Sequence, residues 1–201
     1  MCKTNRSGKA AVLSRNQLEL MWANLPRKYT LLAQTMYVAA GRVTEIASLK
    51  VKNINFLDCL ITIEKSATKT KSTRAVPISM HLAKELETWA SENNLDGESY
   101  IFFTESKNTK YKRGAKHVSS QSVDQFFRKA FDWTGIVGGS THSLRRSRLT
   151  HLHIDEKWSL REIMDISGHS SIMSLQQYLD ADRVATFDKY RSLLIREGDT
   201  L

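Results

Sequence analysis

A change of hydrophobic period partitions this chain. From Leu13 to Leu49, and again from Leu82 onward, apolar residues recur at the spacing of one helix face. Between these regions, Val51 to Phe56, Cys59 to Glu64 and Arg74 to Ile78 are short strand-like runs separated by polar turns. Such runs, short and adjacent in sequence, form a small antiparallel sheet. The expected fold class is α+β, mainly helical with that one sheet.

The helices can be placed from their end signals. Ser14 with Gln17 makes a capping box, Leu13 and Leu18 fit a hydrophobic staple, and Leu18, Met21, Trp22 and Leu25 follow at helical spacing. A second helix is expected after Pro26, through Leu31, Leu32 and Met36 toward Ala40. A third, from Arg42 to Leu49, turns Val43, Ile46 and Ala47 inward and sets Arg42 and Glu45 on a neighbouring face. Leu82, Leu86 and Trp89 mark another helix, and Val123 to Phe131 a further one behind a Ser122-x-x-Gln125 cap, with Tyr100 to Phe103 a strand candidate between them. Gly135, Gly138 and Gly139 break the chain before a helical segment from His142 to Ile154. Ser159 and Glu162 form a second capping box, with Trp158 and Ile163 as its staple, for a helix from Leu160 to about Ile166. Gly168 ends that helix, Ser170-Ser171 can start the next, and Tyr178 falls within or just after it. Val184, Phe187, Tyr190, Leu193 and Leu194 give a helical tail from Arg183 to Ile195.

At 201 residues, 41% hydrophobic and 25% charged, the chain suits one domain with a buried core. Its formal charge of +9 favours a polyanionic partner, nucleic acid ahead of an anionic membrane. With only Cys2 and Cys59, neither a disulfide framework nor a thiolate metal site can be built. No apolar stretch approaches the roughly 18 to 20 residues that span a bilayer, and Lys3-Thr4-Asn5-Arg6 leads into no signal-peptide apolar region. A cytoplasmic, nucleoid-associated location without membrane contact is expected.

Chemistry concentrates in separated short motifs: Arg42-x-x-Glu45, Lys69 in the turn before Pro77, His142-x-x-Arg145, Gly168-His169, and Tyr178 nine residues after His169. One phenol that could attack phosphorus, two guanidiniums that could clamp a phosphate, two imidazoles and an ammonium make a metal-free phosphoryl-transfer set. Each member also has a plainer reading: a helical ion pair for Arg42 and Glu45, a solvated charge run for Lys65, Lys69 and Lys71, a core or surface ring for Tyr178. His151 and His153 read as solvated or structural, since His-x-His without further ligands is weak evidence for a metal.

In this order and at these spacings, the motifs resemble the catalytic domain of the tyrosine recombinase (phage integrase) family over roughly residues 13 to 185. The resemblance implies a DNA-cleaving and rejoining enzyme working through a 3'-phosphotyrosyl intermediate, with no metal, ATP or other cofactor. It implies Tyr178 as nucleophile, Arg42 and Arg145 as phosphate clamps, and His142 as acceptor of the phenolic proton or phosphate donor. His169 becomes a second phosphate donor, Lys69 the acid that protonates the departing 5'-oxygen, and Glu45 the group that orients a catalytic cation. Arg146 stands where members of the family often carry histidine, and Ala39-Ala40-Gly41-Arg42 replaces the more usual Thr-Gly-x-Arg. The basic loop of Lys107, Lys110, Lys112, Arg113 and Lys116 is expected to track the DNA backbone.

The expected organisation is a flexible basic arm over residues 1–12 and a single catalytic domain over 13–201 ending in the helical tail, with no N-terminal core-binding domain. Implied partners are double-stranded DNA, a homo-tetramer on synapsed DNA from a free monomer, and accessory DNA-bending proteins. Two other readings stand beside it: a DNA-binding regulator of this fold that does not cut, and a type IB topoisomerase-like enzyme that shares the chemistry but relaxes supercoils.

Overall fold

The computed structural model describes residues 9–64, 73–105, 112–179 and 183–198. Helix α1 (Arg15–Ala23) opens on the Ser14/Gln17 capping box, with both reciprocal bonds formed, and leads into α2 (Arg27–Val38) behind Pro26. Leu13, Leu18, Met21, Leu32 and Met36 are buried in the large core. The short α3 (Val43–Ala47) follows, then β1 (Ile54–Asn55), β2 (Leu60–Ile63) and β3 (Arg74–Pro77). The strands form an antiparallel sheet in the order β1-β2-β3, with Ile61 opposite both Ile54 and Val76. Those three residues point into the core, and pleat alternation turns Arg74 to the same side as Val76.

Helices α4 (Met80–Glu92) and α5 (Ser120–Trp133) close the large core with Leu82, Leu86, Val123, Phe127 and Phe131. Helix α6 (Thr141–Thr150) packs on α2 and widens at its end into a π turn over His151–Asp155, where Glu156 N–H donates to His151 O at 3.0 Å. Helix α7 (Leu160–Ser167) starts on the Ser159/Glu162 capping box, and α8 (Ile172–Gln176) on a Ser171 cap. At eight and five residues these helices are too short to hold themselves. A second apolar cluster of Ala40, Leu149, Leu152, Ile163 and Leu175 fixes them, with Tyr178 packed against it. Each such buried aliphatic side chain contributes roughly 1.5–3 kcal/mol. Helix α9 (Arg183–Gly198) leaves Phe187, Tyr190, Leu193, Leu194 and Ile195 exposed.

Several expected elements differ. The strand at Val51 is a 3-10 turn, because Val51 and Lys52 donate to Ser99 O and Gly97 O, so that only Ile54 and Asn55 pair with β2. Tyr100 to Phe103 makes isolated bridges to Lys50 and His117 instead of a strand. The third helix is shorter than expected, with Arg42 as its N-cap and Ser48 as its C-cap. The α5 cap is Ser119, whose hydroxyl accepts from Ser122 N–H. Trp158, the expected staple partner of Ile163, is 37% exposed. Of the arm expected to be flexible, residues 9–12 are described and docked: Ala11 is buried and donates its N–H to Gly138 O at 3.0 Å.

Candidate active site

Glu45 organises one half of the site. It lies on α3 at 1% exposure. One carboxylate oxygen accepts from Arg42 Nη1 at 2.6 Å, and the other from the Arg42 backbone N–H at 3.0 Å and from Arg74 Nη2 at 2.9 Å. The helical ion pair anticipated for Arg42 and Glu45 is therefore real. Burial alone would raise the Glu45 carboxyl, but the bonds and charge of Arg74, then of Arg42, outweigh it and hold the group below the ordinary carboxylate range. Arg74 ties this half to α7, since its Nε donates to Ile166 O at 3.1 Å.

Gly168 makes that tie possible. It ends α7 in the left-handed conformation at φ 67°, and a Cβ there would stand 2.9 Å from Arg74 Nη1. Only glycine meets both demands without a shift of the arginine.

Arg145, on α6, organises the other half at 1% exposure. Its Nη1 donates to Ala40 O, a carbonyl presented by a residue at positive φ (43°), and its Nη2 donates to Ser167 O at 3.0 Å. The same Nη2 lies 3.1 Å from His169 Nε2. The ring of Tyr178 covers this group: the Arg145 guanidinium carbon is 5.6 Å from the phenol centroid, and the His169 ring meets the same phenol edge-on at 5.2 Å. Tyr178 itself is half-buried in the turn that directly follows α8.

Crowded cations dominate the electrostatics. Burial first, and then the neighbouring charge of Arg42, lowers Arg145 to about 10, still protonated at neutral pH. Burial, reinforced by Arg145, Arg42 and Arg74, pushes His169 down to about 3, so its imidazole is neutral. A neutral ring can offer one N–H and one lone pair.

The structure thus brings together Arg42, Glu45, Arg145, His169 and Tyr178 from the sequence-derived set. His142 is exposed on the first turn of α6, one turn before Arg145. Lys69 lies outside the described residues, as do Lys107 and Lys110. Lys112, Arg113 and Lys116 are exposed, Lys112 paired with Asp96 and Arg113 donating to Asn93 Oδ1 at 3.3 Å. His151 is structural, buried with its Nδ1 2.7 Å from the Tyr37 hydroxyl. Among the described residues, no three His, Cys, Asp or Glu side chains are grouped to hold a metal ion, and no helix is long and apolar enough to cross a membrane.

Sequence reasoning missed Arg74 and Ser167. The signal for Arg74 was available, because an arginine two residues before Val76 sits on the inward face of β3. Ser167, whose hydroxyl is 2.7 Å from His169 Nδ1, carried no such signal.

The phage integrase family model matches residues 11–184, and the chain belongs to that family. A tyrosine recombinase of Pseudothermotoga lettingae is 28% identical over 173 residues, covering 86% of this chain and 55% of that protein. The tyrosine recombinase XerC of Bifidobacterium longum is 26% identical over 183 residues, covering 87% of this chain and 49% of the relative. The chain therefore spans about half the length of these curated relatives. Among solved structures, XerA recombinase superposes with TM-score 0.74 at 17% identity, over 92% of this chain and 66% of that one. XerH recombinase in a post-cleavage complex with palindromic difH substrate superposes with TM-score 0.70 at 18% identity, over 96% and 55%. These likenesses establish the shared fold.

Proposed function

We propose that this chain is the catalytic domain of a site-specific DNA recombinase that cuts and rejoins double-stranded DNA through a 3'-phosphotyrosyl intermediate. The observation that carries this reading is the convergence of Arg145 and His169 beside the Tyr178 ring, with Arg42 near enough for its charge to act on both. The names of similar proteins support it, since relatives are tyrosine recombinases and the XerH neighbour is a site-specific recombinase bound to palindromic difH substrate.

In this mechanism the Tyr178 oxygen attacks phosphorus and the bond to the 5'-oxygen breaks. The phenolic proton passes to His142, and Lys69 delivers a proton to the departing oxygen. Arg42 and Arg145 donate to the non-bridging oxygens as charge grows there, and neutral His169 donates one N–H. Glu45 holds Arg42 in its orientation. These fixed cations supply the positive charge that a metal ion supplies in many nucleases. The reverse attack by a 5'-hydroxyl on the phosphotyrosine reseals the strand, so the bond energy is conserved and ATP is not consumed. Lys107, Lys110, Lys112, Arg113 and Lys116 follow the phosphate backbone, and synapsis of two duplexes assembles a homo-tetramer.

Incubating the chain with nicked suicide duplexes tests the reading. A covalent protein–DNA adduct is expected, lost in Tyr178→Phe with DNA binding retained. An adduct that persists in Tyr178→Phe refutes the nucleophile, and no adduct on any duplex favours a non-cleaving DNA-binding protein of this fold.

A further inference from the structure

Helix α6 buries a second arginine that the proposed chemistry does not use. Arg146 is 5% exposed. Its Nε donates to the backbone carbonyl of Tyr178 at 3.1 Å, and its Nη1 donates to the carbonyl of Ala10. Both acceptors are main chain, and they belong to segments far apart in sequence. Ala10 lies in the segment that enters α1, and this segment is pinned just after it: Ala11 N–H donates to Gly138 O at 3.0 Å, and Leu13 N–H to Ser147 Oγ at 2.7 Å. Tyr178 lies in the turn that follows α8, held locally by its own N–H to Leu175 O at 2.9 Å and Leu179 N–H to Gln176 O at 3.1 Å. A five-residue helix and such a turn have little stiffness of their own. A charge-assisted bond from a buried, planar donor is therefore the firmest restraint on the Tyr178 carbonyl.

We propose that Arg146 is a positioning residue for the nucleophile: it locks the turn carrying Tyr178 to the segment entering α1, so that movement of that segment is transmitted to the phenol. The functional half of this inference rests on Tyr178 being the nucleophile. The mechanical half does not. Glutamine at this position is too short to span both carbonyls. Lysine keeps the charge but reaches one carbonyl without the rigid fork.

Amide hydrogen exchange on the whole chain without DNA tests the lock directly, in Arg146→Gln, Arg146→Lys and Ala11→Pro, the last removing the N–H that pins the entering segment. Exchange at the Tyr178 and Leu179 amides should rise on the order of tenfold or more in Arg146→Gln, with Arg146→Lys intermediate. Ala11→Pro should loosen the same two amides and add nothing in the Arg146→Gln background. Single-turnover adduct formation should fall in parallel with DNA affinity unchanged. The proposal is overturned by unchanged exchange at Tyr178 in Arg146→Gln, by a rise spread over all helices, or by Ala11→Pro leaving the Tyr178 turn untouched. An unchanged adduct rate despite a looser turn also overturns it. A wild-type chain that forms no adduct would sink the recombinase reading, and the lock would then stand or fall on exchange alone.

Discussion

Ser167 and His169 share a 2.7 Å hydrogen bond between the serine hydroxyl and Nδ1, which fixes the imidazole beside Arg145. A guanidinium only donates and a charged imidazolium has no lone pair to offer it, so the Arg145 contact favours the neutral ring. Unfolded histidine takes up a proton near pH 6.5, whereas folded His169 resists down to about 3. Between those values the unfolded state binds more protons, so stability falls as pH falls, by up to about 1.4 kcal/mol per pH unit. His151, also lowered by burial, acts in the same direction. Comparison with His169→Gln isolates the residue: from pH 7.5 to 5 the wild type should lose up to about 2 kcal/mol more in urea titrations than the variant does. Equal losses would show that His169 titrates normally.

Arg145→Lys separates catalysis from affinity. The fork that spans Ala40 O and Ser167 O cannot be reproduced by an ammonium, so single-turnover adduct formation should drop by roughly 10²–10³-fold. Affinity for duplex DNA should change far less, because one phosphate contact is a small part of an electrostatic footprint. Gel-shift and quench-flow measurements on the same preparations decide it, and a loss confined to affinity contradicts the clamp.

Glu45→Ala removes the single carboxylate shared by Arg42 and Arg74. Leaving buried Arg74 and half-buried Arg42 without it should cost about 3–5 kcal/mol in chemical denaturation. Its contribution is present above the ordinary carboxylate range and is lost as pH falls through the depressed folded value. A variant as stable as the wild type would mean that the arginines find other acceptors.

Gly168→Ala places a methyl against Arg74 and strains a left-handed residue. About 1–2 kcal/mol from the backbone alone should be lost, read as a lower urea midpoint. The companion variant Gly135→Ala has the same sign of φ, 67°, with nothing within 4 Å of the added carbon, and should show only the backbone part. Matching losses in the two would remove the case for a tight Arg74 contact.

Much of this was legible in the sequence because the signals are local. The capping boxes at Ser14 and Ser159, the Gly168 stop and the helical spacing of α2 fix those elements within a turn of their observed bounds. Val51 and Tyr100 misled because their backbone groups satisfy one another's neighbourhoods across the fold: Val51 bonds to Ser99 O, and Ile101 to Leu49 O. Such long-range pairing leaves no trace in the period of side chains. The same holds at the site. Arg42, Arg145 and Tyr178 stood out by spacing, whereas Ser167 acts through its own carbonyl and the ring two residues on, and Arg146 through backbone carbonyls at Ala10 and Tyr178.

Arg42, Arg74 and Arg145 gather around one carboxylate, so folding assembles more positive charge than it neutralises. The uncomplexed protein is consequently frustrated at this cluster, and an oxyanion docking there would relieve that repulsion. Grip on the substrate and rigidity of the fold become a single thermodynamic quantity. Simple oxyanions such as sulfate should therefore raise the melting temperature more than chloride at matched ionic strength, and the difference should vanish when Arg145 is replaced.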